Sequence, residues 1–243
     1  MSVFLNLEFM LLSLIILLLS LVQSIFGVGL LLFGTPTLLL LGYSYDVTLW
    51  ILLPASMLIS LSQVIGNYDL IVTEKKLYVA TLPPLVLGLF LVVTNENFID
   101  ITKVVGAALI LIGLLRISKR LEKLLKIFLS KNTILFYFFL GGIHGISNMG
   151  GGPLTVLMSS LHATKESIRA NIAQIYFLFA FFQLLVLSIT RLESFNPPYL
   201  MLSLVAIISY FFLGKKLALL LSNEKYQYFI SLLILCYGIF SFL

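Results

Sequence analysis

Two of the eight apolar runs in this chain are too long for a single membrane crossing, and both are interrupted by glycine and proline. The runs fall at about 9–42, 47–66, 77–94, 101–116, 134–162, 170–189, 198–213 and 226–243. Six of them suit single helices across a hydrocarbon core of roughly 30 Å. As continuous helices, 9–42 and 134–162 would reach about 50 Å and 43 Å. The first contains Gly27, Gly29, Gly34 and Pro36, and the second contains Asn148-Met149-Gly150-Gly151-Gly152-Pro153. Lipid offers the backbone no hydrogen-bonding partner, so irregular chain at membrane depth is tolerated only where it is buried in protein or lines a watery cavity. Each long run therefore reads as a broken hairpin that enters and returns on one side. Breaks of this kind mark transport sites.

The rest of the composition agrees. The 243 residues are 60% hydrophobic and 10% charged, with a mean hydropathy of +1.13, whereas soluble domains carry roughly 25% charge. Short alternating segments of the β-barrel kind are missing. The expected fold class is an all-α polytopic membrane protein. A single cysteine, Cys236, excludes an internal disulfide and a cysteine-cluster metal site. The first run carries Glu8 and lacks a basic leader, so it reads as a retained span and not a signal peptide.

Placement of Lys and Arg then sets the topology. The loops 67–76, 117–133, 163–169 and 214–225, with Arg116 at the edge of the second, hold 13 of the 15 basic residues, leaving Lys103 and Arg191 on the other side. The positive-inside rule makes the first set cytoplasmic, which works only if both long runs return to their starting side. A cell-membrane protein with both termini outside is the expectation, and the net charge of +5 calls for no nucleic acid. Each half is then one hairpin followed by three spans: 1–116 as a first repeat, 117–133 as a basic cytoplasmic linker, and 134–243 as a second, inverted repeat. Residues 27–41 align with 148–162 without a gap. The linker is amphipathic at helical spacing, which suits a segment lying against anionic lipid, or one that binds a partner.

Chemistry is expected at the breaks. Pro153 suits a first helical turn, because it lacks an amide hydrogen that would have no partner there. A short helix over 153–161 would then aim its free amides and positive end, with Gly150, Gly151 and Gly152, into the membrane centre, where an anion binds without Lys or Arg. The same glycines would also serve close helix packing. Polar residues cluster at both breaks: Gln23 and Ser24 with Gly27 and Gly29, and His144, Ser147 and Asn148 with the second cluster. Asn171, Gln174 and Gln63 lie on the following spans and are candidates to complete the cavity. Arg169 reads as a guide for anions or an interfacial anchor. Leu30 and Leu31 stand where the second break has glycines, so unequal half-sites are expected, with Gly34-Thr35-Pro36 as a further break or a kink.

No Asp or Glu lies deep in an assigned span, which argues against a cation substrate. No nucleophile–base set, nucleotide loop or metal-ligand spacing is present. The expectation is therefore no enzyme and no cofactor or metal.

At these residues the chain resembles the sulfite exporter TauE/SafE family, which carries two copies of a G-x-G-G-G motif, each followed by a short apolar helix with a proline. Asn148 through Pro153 matches the second copy, with Asn148 in place of its first glycine. Gly27-Val28-Gly29, with Pro36 beyond, matches the first. The resemblance implies transport of sulfite, sulfonates or similar sulfur-containing anions. The resulting expectation is a secondary transporter working by alternating access. Gly150–Gly152 would hold the anion, Ser147 and Asn148 would orient it, and His144 would couple a proton or other ion. A passive anion channel and a non-transporting scaffold or accessory subunit are the alternatives. Self-association is left open.

Overall fold

The computed structural model describes residues 7–72, 74–95 and 131–220, with scattered positions between 103 and 128 and between 222 and 232. Most of the expected spans 101–116 and 226–243, Cys236 and about half of the 117–133 linker lie outside the described residues. Every element among the described residues is helical.

The first long run is α1 (Leu7–Phe26) and α2 (Leu30–Leu40), followed by α3 (Tyr45–Gly66) and α4 (Lys75–Thr94). The second is α5 (Thr133–Ser147) and α6 (Gly151–Leu161), followed by α7 (Lys165–Thr190). Helix α8 comprises Leu200–Ser209, a π turn at Tyr210–Gly214 and Lys215–Leu220. Among the described residues, α1, α3, α4, α7 and the Pro197–Leu220 stretch are long and apolar enough to cross a membrane. Helices α2 and α6, at 11 residues each, reach only about 16 Å. Two details differ from the sequence reading. Helix α6 begins at Gly151 and not at Pro153, because glycine tolerates helical backbone and Pro153 needs only a place in the first turn. Helix α2 runs unbroken through Gly34-Thr35-Pro36, which removes the further break from the two alternatives there; the Thr35 hydroxyl bonds to the Leu31 carbonyl at 2.7 Å and Leu52 packs over Gly34.

Three pairings build the bundle. Helix α5 lies on α4 with both chains running the same way: Gly141 meets Thr81, and Gly145 meets Leu85. The four-residue spacing of two small residues lets the backbones approach closely. Helix α8 lies on α1, also in parallel, with Ser209 bonded to the Leu17 carbonyl at 3.3 Å and Gly214 against Ser24. Helices α3 and α7 run antiparallel. The Trp50 indole donates to the Arg191 carbonyl at 3.0 Å at one end, while Asn171 binds the Leu70 carbonyl and the Val72 amide at the other. Exposed Met10, Leu14 and Leu18 recur at helical spacing on the outer face of α1, as a lipid-facing stripe does.

Candidate functional site

The two breaks are built alike. In the first, the Gly27 amide bonds to the Gln23 carbonyl at 2.8 Å; in the second, the Asn148 amide bonds to the His144 carbonyl at 2.8 Å. Gly27 and Asn148 are equivalent in the 27–41 to 148–162 alignment, and both are left-handed, at φ 77° and 60°. Asparagine is one of the few residues besides glycine that visits this conformation routinely, which explains how Asn148 stands in for the motif's glycine. Two residues on, Gly29 and Gly150 have no room for a side chain. A Cβ on Gly29 would lie 2.8 Å from the Gln23 Cα, and one on Gly150 would lie 2.5 Å from the His144 Cβ.

In each break a polar side chain four residues before the left-handed position turns back to hold the start of the short helix. Gln23 Oε1 accepts from the Leu30 amide at 3.2 Å, while its Nε2 donates to Ser56 and Ser60 on α3. His144 Nδ1 accepts from the Gly150 amide at 3.1 Å, and Nε2 meets Gln183 Oε1 on α7 at 3.2 Å. An amide can only donate, so Nδ1 carries no proton and Nε2–H donates to Gln183. The chain continues from Gln183 Nε2 to Asn148 Oδ1 at 3.4 Å and from Asn148 Nδ2 to Thr35 Oγ1 on α2 at 2.9 Å. One directional series of hydrogen bonds thus joins both hairpins and α7. His144, Asn148, Gln183, Thr35 and Gln23 are all fully buried. The His144 ring also packs on Phe179 and Tyr176, at centroid distances of 4.6 Å and 5.7 Å.

The breaks face each other. A Cβ on Gly151 would stand 3.3 Å from the Val28 side chain, and it would overlap the Tyr176 hydroxyl. That hydroxyl is buried without a hydrogen-bond partner among the described residues. At the start of α6 the Gly150 amide is taken by His144, and the Gly152 amide reaches only the Met149 carbonyl at 3.4 Å. Pro153 has no amide hydrogen to satisfy. The helix start expected from the glycine–proline order is therefore present, with an orphan phenol beside it.

The remaining candidates fall in different places. Ser147 bonds to the Ile143 carbonyl and receives the Met149 amide, which caps the end of α5. Ser24 turns back to the Ser20 carbonyl. Asn171 and Gln174 are not at the breaks. Asn171 holds the α3–α4 loop through Leu70 and Val72, and Gln174 faces Tyr78. Asn171 lines a cavity of about 360 Å³ near the far end of α6, together with Glu74, Tyr78, Met158 and His162. Burial holds the His162 imidazole below its ordinary pKa. Sequence reasoning passed over Tyr176, Gln183 and Thr35. The signal for two of them was available: Arg169, Tyr176 and Gln183 recur at seven-residue intervals in α7, a polar stripe two helical turns apart on one face.

A multi-pass helical bundle with two half-length helices starting beside each other in its interior is the build of a membrane transporter. The chain belongs to the sulfite exporter TauE/SafE family, whose description matches residues 12–241, nearly the whole length. No curated protein and no solved structure matches the chain.

Proposed function

We propose that this transporter moves a small, sulfur-containing oxyanion such as sulfite or a sulfonate, by alternating access between two inverted halves, with no catalytic step. The observation that carries the reading is the Tyr176 hydroxyl, buried against Gly151 and unpartnered among the described residues. An orphan donor beside a helix start is a place where an anion supplies the missing acceptor. Gly151 and Gly152 are the amides offered to it, and Ser147 and Asn148 hold the turn that presents them. His144 uses both ring nitrogens within the protein, so we assign it to bracing the break and not to proton coupling.

The pairings support an inverted arrangement, since α3 and α7 occupy equivalent positions in the two halves, and exchanging the halves turns the pair of α4 with α5 into the pair of α8 with α1. The like construction of the breaks supports it independently. The unequal N-termini, with Leu30 and Leu31 at one and Gly151 and Gly152 at the other, favour the α6 end as the stronger anion site.

Sulfite flux into proteoliposomes tests the assignment. Tyr176→Phe is expected to lower flux about tenfold or more, in line with a lost hydrogen bond to a charged group of roughly 1.5–3 kcal/mol. Gly151→Leu, which fills the site, is expected to abolish it. A folded Gly151→Leu protein that transports at the wild-type rate would overturn the site. Rates far above carrier turnover, with single-channel currents, would favour a channel instead, and imposed proton or alkali gradients report on coupling.

A further inference from the structure

Arg169, in the second turn of α7, is a cation with no anionic partner among the described residues. Its backbone lies against the first break, 3.4 Å from where a Gly27 Cβ would stand. Its Nε is buried with no hydrogen-bond partner, and no ion pair or hydrogen bond reaches its guanidinium from any described residue. Glu166, one turn earlier, is paired with Lys165 at 3.6 Å and is 41% exposed. Among the described residues, the other titratable groups close enough to act on Arg169 are Tyr226 and Tyr210. Neither carries a negative charge at neutral pH. Arg169 is half-buried near the N-terminal end of α7, and an ionisable side chain there with no counter-charge is placed to meet a charged substrate.

The surroundings are polar and incompletely satisfied. Gln63 is 1% exposed, and its Nε2 donates to the Gln23 and Ser24 carbonyls at 3.3 Å and 3.2 Å. Those two acceptors fix the orientation of the amide, so the orphaned atom is the buried Oε1. Tyr226 donates to the Phe26 carbonyl at 2.7 Å. Tyr210 opens the π turn of α8, whose Gly214 seats the Ser24 side chain. Single π turns concentrate at functional sites. Arg169 also begins the α7 stripe that continues through Tyr176 at the second break, about 10 Å further along the helix.

We propose that Arg169 is a second anion site, at the first break, which takes the same class of small oxyanion and lies in line with the Gly151–Tyr176 site. The proposal rests on the reading of the chain as an anion carrier. A guanidinium offers a fork of donors that matches a tetrahedral or pyramidal oxyanion. A phospholipid phosphate has the same chemistry, so the source must be separated by experiment.

Sulfite binding to the full chain is measured calorimetrically in a phosphate-free maltoside detergent, with and without added phospholipid, for wild type, Arg169→Gln, Arg169→Lys and Tyr176→Phe. The expected result is binding that weakens with salt, by roughly thirtyfold or more in Arg169→Gln, and is partly restored in Arg169→Lys. Tyr176→Phe should keep the Arg169-dependent, salt-sensitive component while losing flux. If Arg169→Gln does not fold, Arg169→Lys is the deciding variant, and unchanged affinity there overturns the proposal. Wild-type binding matched by Arg169→Gln overturns it and leaves the carrier reading intact. No sulfite, sulfate or thiosulfate binding by wild type would sink both. Sulfite binding displaced by added phospholipid in wild type but not in Arg169→Gln would assign Arg169 to a lipid headgroup and overturn the substrate site.

Discussion

Gly141, Gly142 and Gly145 offer a test with its own control. A Cβ on Gly141 would lie 2.8 Å from the Thr81 carbonyl carbon, and one on Gly145 would lie 2.9 Å from the Leu85 carbonyl carbon and its Cα. Ordinary contact begins near 3.4 Å, so α4 and α5 would have to separate by at least about 0.6 Å. The obstacles are backbone atoms, and they cannot turn aside. Overpacking of this kind costs typically 1–3 kcal/mol. Around Gly142 nothing among the described residues lies within 4 Å of a Cβ, and alanine there is expected to be neutral or to stabilise α5 by up to about 1 kcal/mol. Gly141→Ala and Gly145→Ala are therefore expected to lower the apparent melting temperature by about 2–12 °C, with Gly142→Ala unchanged or higher. Fluorescence of Trp50, the one tryptophan of the chain, reports unfolding in detergent at a fixed scan rate. Flux should fall with the first two variants, because α5 carries His144 to the break. Equal melting temperatures for Gly141→Ala and Gly142→Ala would refute the close-packing argument.

Two further outcomes follow from named contacts. Asn148→Gly should be more stable than Asn148→Ala by about 1 kcal/mol, because both lose the bonds to Thr35 and Gln183 but only alanine strains the left-handed turn; the reverse order of melting temperatures would contradict that geometry. Asn171→Ala removes bonds to the Leu70 and Ser167 carbonyls and the Val72 amide, at a cost of roughly 1–3 kcal/mol. Trypsin should then cut faster at Lys75 and Lys76, while a cleavage rate equal to wild type would mean the staple does not hold the α3–α4 loop.

Membrane character, the rough bounds of the spans among the described residues, and the existence of two breaks were all legible in the sequence. They depend on local quantities: apolar run length against the thickness of a bilayer, and the backbone freedom of glycine against the stiffness of proline. The pairing of Gly27 with Asn148 was legible as an ungapped alignment, although its physical content, a shared left-handed turn, needed backbone angles. Partnership was not legible. His144 looked free to meet an anion, yet a backbone amide and Gln183, 39 residues away, take both of its nitrogens. Asn171 looked like a residue of the cavity at the breaks, but it lines a different cavity and ties down a loop 99 residues earlier. Such assignments depend on which side chains the bundle brings within 3 Å of each other, and composition and spacing carry no information about that. For the same reason the Tyr176 hydroxyl and the Arg169 guanidinium, both without a partner among the described residues, emerge only in the folded chain: a missing partner is a property of the neighbourhood, and only tertiary packing creates the neighbourhood.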